Sequence, residues 1–324
     1  MTPRTARVRA YAKINLTLKV LGRREDGYHE IRTVFQTIGL HDVLEFRFTP
    51  GRGLTLTLDD PLRLPDNLVL RAAHAFCERF GVRGSLEMKL TKRIPAGGGL
   101  GGGSSDAAAV LLALPALTGA QPSLAALHEI AAGLGSDVPF FLFGGAALGL
   151  GRGEELYPLP ELPPLPVLVL APPLHVSTPE AYRALNRPAL TSSGASPKLN
   201  SLRSFVWSPG DWTSAENDFE AAVFQLHPEL KRWQRKLERS GAHAARLSGS
   251  GAALFGVFPN QATLQGALPR FRTEPLQVFS STLVSRARYR AGWIRALRDH
   301  LAAPALKEVE WPPRTRHTKH DRSA

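Results

Sequence analysis

Pro95-Ala96-Gly97-Gly98-Gly99-Leu100-Gly101-Gly102-Gly103-Ser104-Ser105 is the stretch from which the rest of the chain is best read. Six of its eleven residues are glycine, in two triplets separated by Leu100. An alternating run, Leu86 to Leu90, precedes it and predicts a strand; the basic pair Lys92-Arg93 lies between. Asp106-Ala107-Ala108-Ala109-Val110-Leu111-Leu112 follows and predicts a helix. Glycine reaches positive φ and lets a ligand approach the backbone without a Cβ in the way. A helix N-terminus adds unpaired N–H groups and the positive end of the dipole. The combination is an anion cradle, and phosphate is its usual guest. Ser104 and Ser105 can cap the helix, bond phosphate oxygens or reach a metal. A flexible linker would have neither the leucine nor the strand-to-helix setting. The stretch matches neither the Walker pattern nor the dinucleotide fingerprint.

At 324 residues, the chain has room for one large domain or two of ordinary size, and 43% hydrophobic residues suffice for full cores. A single cysteine, Cys77, excludes an internal disulfide framework and fits a reducing, cytoplasmic setting. The first residues lack the apolar centre of a signal peptide, and Val138–Gly151 is too short to span a bilayer, so no membrane partner is expected. The net charge of +12 favours anionic ligands such as nucleotides or phosphorylated compounds. Basic and aromatic residues are not interleaved as in single-strand binders, so no specific nucleic acid is expected.

Val8 to Leu21 alternates, with Val8, Ala10, Ala12, Ile14, Leu16, Leu18 and Val20 on one side and Lys13 and Asn15 on the other. Arg24-Glu25-Asp26-Gly27-Tyr28-His29 is a polar turn that offers an aromatic ring beside an imidazole. Strands are expected at 31–40, 43–49 and 54–58. A helix capped by Asp66-Asn67 runs to Phe80, and Pro115 is expected to end or kink the helix after the glycines. Gly135-Ser136-Asp137-Val138-Pro139-Phe140 sets one carboxylate at the edge of an apolar run. The proline-rich stretch 156–165 divides the chain into 1–160 and 161–303. Residues 304–324 are expected to form a basic, disordered tail.

Phosphoryl transfer needs a phosphate cradle, a cation, a metal and a group that orients or deprotonates the acceptor. Lys13 and Asp137 are candidates for the cation and the base, although spacing alone does not bring them together. Five segments occur in this order: Ala12-Lys13-Ile14-Asn15-Leu16, the Asp-Gly-Tyr-His block, the doubled glycine triplet, Gly135 to Phe140, and Arg246-Leu247-Ser248-Gly249-Ser250-Gly251. Together they resemble the GHMP kinase superfamily. The doubled triplet and the Asp-Gly-Tyr-His block resemble its branch acting on a cytidine-diphosphate-linked methylerythritol (CDP-methylerythritol) in the non-mevalonate isoprenoid route.

The resemblance implies ATP-dependent phosphorylation of the substrate's 2-hydroxyl. It implies Asp137 as base, Lys13 as charge stabiliser, residues 95–105 as the ATP phosphate loop and Asn67 near adenine. It places Tyr28, His29 and Tyr182 at the cytosine and Asn15 beside the acceptor. Mg²⁺ is expected with ATP, near Ser104 or Ser105. The implied fold is a two-domain α/β (α+β) kinase with a left-handed βαβ unit in the N-terminal domain and a ferredoxin-like C-terminal domain, as monomer or homodimer. Two alternatives are a homoserine- or mevalonate-type GHMP kinase and a charge-driven nucleic-acid-binding protein.

Overall fold

The computed structural model describes residues 2–61, 66–189, 202, 205, 208–212, 215–301 and 311–313. The first sheet is built on β2 (His29–Pro50). One edge of β2 pairs antiparallel with β1 (Arg4–Arg23). The other edge is shared by β4 (Gly84–Thr91), which pairs with residues 43–50, and β5 (Ala146–Leu150), which pairs with 33–36. β6 (Glu155–Pro158) follows β5, and β3 (Leu54–Asp59) lies parallel to β4. The two strands expected at 31–40 and 43–49 are thus one 22-residue strand. Its bend is absorbed by a register shift, because Tyr11 faces His41 while Lys13 faces Thr37.

Helix α1 (Leu68–Arg79) makes the β3–β4 crossover and is capped by Asn67, whose Oδ1 accepts from Val69 N at 2.9 Å. Helix α2 (Gly102–Thr118) starts inside the second glycine triplet, four residues before Asp106. It is buried from Ser105 to Leu117, as an apolar-all-round helix must be, against β1, α1, α3 (Leu124–Leu134) and α4 (Phe140–Phe143). Pro115 does not end it. The helix continues to Thr118, where the Thr118 hydroxyl donates to Leu114 O and Gly119 closes the turn at φ +89°.

The second sheet has the order β10-β7-β9-β8, antiparallel throughout. Its strands are β7 (Pro166–Ala171), β8 (Ala244–Leu247), β9 (Leu254–Val257) and β10 (Gln277–Thr282). Helices α5 (Thr178–Leu185), α6 (Phe219–Leu226), α7 (Pro228–Glu238) and α8 (Gln261–Ala267) accompany it. Its core gathers Leu168, Leu170, Phe219, Trp233, Leu237 and Phe258. Between the sheets, Ile14, Leu16, Ile38, Leu100, Val169 and Phe255 form a third cluster.

Two segments depart from the composition-based division. Helix α9 (Arg286–Leu297) packs Tyr289, Trp293, Ile294 and Leu297 into the core of the first sheet, although it lies inside 161–303. Within the tail read as disordered, Trp311 donates from Nε1 to Leu142 O at 2.8 Å, and the Arg290 guanidinium lies 5.0 Å above its ring. Pro312 and Pro313 are buried beside it. Trp311 is an aromatic anchor within a stretch whose average composition is that of a solvated chain. Residues 302–310 and 314–324, like most of 190–207, lie outside the described residues.

The glycine loop is clamped between the sheets. Gly99 has φ +77°, and a Cβ there would stand 1.9 Å from Ser248 O. Gly98 O accepts from Ala253 N, Gly99 O from the Ser248 hydroxyl and Leu100 O from Lys13 N, at 3.0–3.2 Å. Below the first turn of α2, Lys92 Nζ lies 2.5 Å from Asp42 Oδ2 and 2.7 Å from Asp106 Oδ2. Asp42 Oδ1 also accepts the N–H groups of Arg93 and Ile94, while Asp106 Oδ1 is buried without a hydrogen bond. Two carboxylates thus share one ammonium. Burial, offset in part by Lys92 and reinforced by Asp42, pushes Asp106 up to about 7.

Gly99→Ala is expected to destabilise the fold by at least about 2 kcal/mol, read by urea denaturation, because it combines strained φ with a backbone clash. Asp106 binds a proton in the folded chain between pH 3.8 and about 7, where the unfolded chain has released it. Stability therefore falls as pH rises through that window. Asp106→Asn is expected to flatten this fall in the urea midpoint.

Candidate active site

A cleft of about 760 Å³ opens where the Asp26–His29 turn, the glycine loop, the Ser248–Gly251 loop and α5 meet. Lys13, Asn15, Tyr28, His29, Asp137 and Tyr182 all line it. They come from four separate segments of sequence.

Lys13 and Asn15 reach the cleft because β1 is buried on both faces from Ala12 to Leu18. Its apolar side packs between the sheets, and its polar side is aimed into the cavity rather than into solvent. Lys13 is 3% exposed, and its Nζ lies 3.3 Å from Asp137 Oδ2 and 2.6 Å from Asn15 Oδ1. Asn15 Nδ2 donates to Thr33 Oγ1 at 2.7 Å, which in turn donates to Thr17 O at 2.7 Å. This chain fixes the amide so that its oxygen faces the ammonium. The ammonium also lies 5.4 Å from the centre of the Phe35 ring. Asp137 precedes α4 without capping it, since that helix has no side-chain cap. Its carboxylate, about one-third exposed, faces the cleft.

At the other end, the rings of His29 and Tyr182 stack with centroids 4.4 Å apart and planes at 22°. Tyr182 packs edge-on against Phe219 at 4.8 Å. Burial, with a smaller contribution from the Asp137 charge, pushes the Tyr182 hydroxyl pKa upward, so it stays protonated. Burial and then the nearby Arg23 lower the His29 pKa. A neutral His29 offers one ring donor and one ring acceptor, the pattern that can pair with the edge of a base. Tyr28 is 53% exposed, and the Arg152 guanidinium lies 4.8 Å from its ring centre.

The glycine loop borders the same cleft at Gly99. Gly97, Gly99 and Gly101 have positive φ, and α2 begins at Gly102 with no side-chain cap. Its leading N–H groups are thus left for a ligand, and the residues present fit a phosphate chain. Pro95 and Ala96 lead into the loop. Ser104 is half-buried beside this end, whereas Ser105 is buried in the helix. Among the described residues no cluster of three or more His, Cys, Asp or Glu side chains could hold a metal by itself. Asn67 lies apart from the Lys13–Asp137 pair. Its neighbour Leu68 lies 3.7 Å from where a Cβ on Gly103 would stand. The Asn67 amide is committed at both ends, to Val69 N and to Asp60 Oδ2.

Ser136, Arg152, Thr178 and Ser250 also line the cleft; Ser136 and Ser250 lie in segments that carry the resemblance, but none of the four is assigned a site role from the sequence. The Thr178 and Ser250 hydroxyls lie 3.0 Å apart and join α5 to the second small-residue loop. Gly151-Arg152-Gly153 carries a sequence signal, a cation between two glycines, both of which take positive φ, but it precedes the proline-rich stretch and no site reading is attached to it.

Comparison with known proteins fits this geometry. Residues 67–145 match the GHMP kinases N terminal domain, and residues 210–274 match the GHMP kinases C terminal domain. A 4-diphosphocytidyl-2-C-methyl-D-erythritol kinase of Solibacter usitatus is 50% identical over 319 residues, covering 98% of this chain and 99% of that one. The enzyme of that name from Pelotomaculum thermopropionicum is 41% identical over 83% of this chain and 94% of its own. A crystal structure of 4-(cytidine 5'-diphospho)-2C-methyl-D-erythritol kinase superposes with a TM-score of 0.70 at 39% identity, covering 86% of this chain and 98% of that one. A homoserine kinase from Cytophaga hutchinsonii shares the fold at a TM-score of 0.62 and 19% identity. No described helix is long and apolar enough to cross a membrane. With half of its residues shared along nearly its whole length, the chain belongs to the 4-diphosphocytidyl-2-C-methyl-D-erythritol kinase family of the GHMP kinases.

Proposed function

We propose that the chain transfers the γ-phosphoryl group of ATP to the 2-hydroxyl of 4-diphosphocytidyl-2-C-methyl-D-erythritol. The observation that carries this reading is one cleft with two chemically distinct ends. One holds the Lys13–Asp137 pair against the glycine loop, and the other holds aromatic rings and a neutral imidazole. A homoserine- or mevalonate-type substrate has no planar base to use the second end.

In this reading, the N–H groups at the start of α2 and the loop from Pro95 to Ser105 hold the ATP phosphates, with adenine toward the Asn67 side. Because the Asn67 amide is already committed, its support for adenine comes through the position of α1. His29, Tyr28 and Tyr182 hold the cytosine. The stacked His29–Tyr182 pair supplies a wall already built, and the neutral His29 pairs with the base edge. Asn15 orients the acceptor end. Asp137 takes the proton of the 2-hydroxyl as its oxygen attacks phosphorus, and Lys13 offsets the negative charge that develops between them. Mg²⁺ bound with ATP would neutralise phosphate charge, and Ser104, half-buried beside the start of α2, would be the hydroxyl to hold it.

The test is turnover of the cytidylyl substrate followed by phosphorus NMR. A new phosphomonoester on the erythritol that requires ATP and Mg²⁺ is expected; equal turnover of the nucleotide-free fragment would overturn the reading. Asp137→Asn is expected to lower kcat by about 10²–10⁴-fold, with ATP affinity within a few-fold of the parent. Tyr28→Ala is expected to raise KM for the cytidylyl substrate by about tenfold and leave KM for ATP unchanged, because base stacking accounts for about 1–3 kcal/mol.

A further inference from the structure

Tyr28 poses a structural question that its neighbours do not. Tyr182 is held by packing against Phe219, and His29 by stacking on Tyr182. Tyr28 is 53% exposed and belongs to none of the three hydrophobic clusters. It sits on a turn whose two middle residues, Asp26 and Gly27, bury nothing. A ring in that position keeps one orientation only if polar contacts impose it.

Those contacts converge on one side chain, Glu30. It lies at the start of β2 opposite Gly22 and is 6% exposed. Its Oε2 accepts from Arg24 Nη1 at 2.8 Å, and its Oε1 accepts from Gly151 N at 3.0 Å. From each oxygen a path leads to Tyr28. On the first path, Arg24 also grips Asp26, with Nε 3.0 Å from Oδ2. Asp26 Oδ1 then accepts the Tyr28 N–H at 3.0 Å, and Arg24 N closes the turn on Tyr28 O at 2.7 Å. On the second path, Gly151 is fixed twice, by the Glu30 carboxylate and by Ile31 N donating to its carbonyl at 2.7 Å. The next residue is Arg152, whose backbone and guanidinium are both held by Glu154 and whose charge lies over the Tyr28 ring. One carboxylate therefore sets the backbone of Tyr28 and the cation against its face.

We propose that Glu30 is a positioning residue for substrate recognition, a buried strut that orients Tyr28 for the nucleobase through Arg24 and Gly151 without touching the substrate. This inference rests on the reading of Tyr28 as part of the cytosine site. A neutral amide cannot replace the strut. Glu30→Gln keeps one oxygen acceptor, but it removes the charge that holds Arg24 and sets an N–H₂ group against either a guanidinium or a backbone N–H. Among the described residues, the glycine loop and the Lys13–Asp137 pair share no hydrogen bond with this network and should not register the change.

The experiment is steady-state kinetics on the full-length parent, Glu30→Gln, Tyr28→Ala and the double variant, with calorimetric titration of CDP as a binding readout independent of phosphoryl transfer. Glu30→Gln is expected to raise KM for the cytidylyl substrate and Kd for CDP by about tenfold, leaving kcat and KM for ATP within about twofold. In the Tyr28→Ala background the same change is expected to have little further effect, because Glu30 acts through that ring. Glu30→Asp, which restores the charge at shorter reach, is expected to recover part of the loss. Additive effects of the two substitutions, or equal losses toward ATP and CDP, would overturn the strut and leave a general role in folding. A parent that binds CDP and turns over, with Glu30→Gln unchanged, would overturn the strut alone. A parent that neither binds CDP nor accepts the substrate would overturn the reading beneath it as well.

Discussion

The contact on which the site depends is the meeting of two backbones, Gly98–Gly99 from one sheet and Ser248–Gly251 from the other. A Cβ on Gly99 would overlap the Ser248 carbonyl, and one on Gly251 would stand 2.4 Å from Gly98 C. The approach is close enough that Gly99 O accepts directly from the Ser248 hydroxyl and Gly98 O from Ala253 N, just beyond the second loop. This closeness does two things. It locks the glycine loop to the β9 side of the molecule. It also brings Gly249 to within reach of Lys13 and Asn15, since a Cβ on it would lie 3.4 Å from Lys13 Nζ and from Asn15 Oδ1. The order of the site is thus set by backbone contact before any charged group acts, as close packing of glycines allows.

Around that contact the charged groups are arranged by burial. Lys13 is nearly inaccessible, yet its partners are a carboxylate facing the cleft and an amide oxygen held in place by two threonine contacts. A buried ammonium with one open partner is an electrostatic arrangement that a substrate oxygen can join. The second buried ammonium, Lys92, is different. Two carboxylates enclose it beneath α2, and it serves to hold the first turn of that helix to β2. The two lysines approach successive glycines, Lys13 at Gly101 and Lys92 at Gly102, one facing the cleft and the other committed to structure.

What the sequence disclosed follows from the range of each signal. The glycine stretch, the Asn67 cap and the Lys13–Asn15 parity are local, and each is legible from a few neighbouring residues. The meeting of Lys13 with Asp137 is not local. It depends on the bend in β2 and on α4, a one-turn helix that periodicity does not reveal. The family resemblance supplied that pairing where spacing did not. Pro115 misled because a helix buried on every side has enough packing to outweigh one lost hydrogen bond. The return of α9 was hidden because its apolar stripe, Tyr289, Trp293, Ile294 and Leu297, is interrupted by arginines. Trp311 was hidden because one anchoring ring does not alter the average composition around it.

The two aromatic sides of the cleft differ in how they are held, and that difference has a physical consequence. Tyr182 leans on Phe219, which is itself in the core of the second sheet, so moving it would open packed volume. Tyr28 is kept in place by an ion-paired frame at the surface. Its ion pairs are partly buried and polar, so moving Tyr28 disturbs hydrogen bonds and opens no packed core. Glu30 and Gly151 at its root are buried, so the frame is anchored in the first sheet. One wall of the cleft is thus set by packing and the other by polar contacts. The cost of displacing Tyr28 falls on a few polar contacts rather than on the fold.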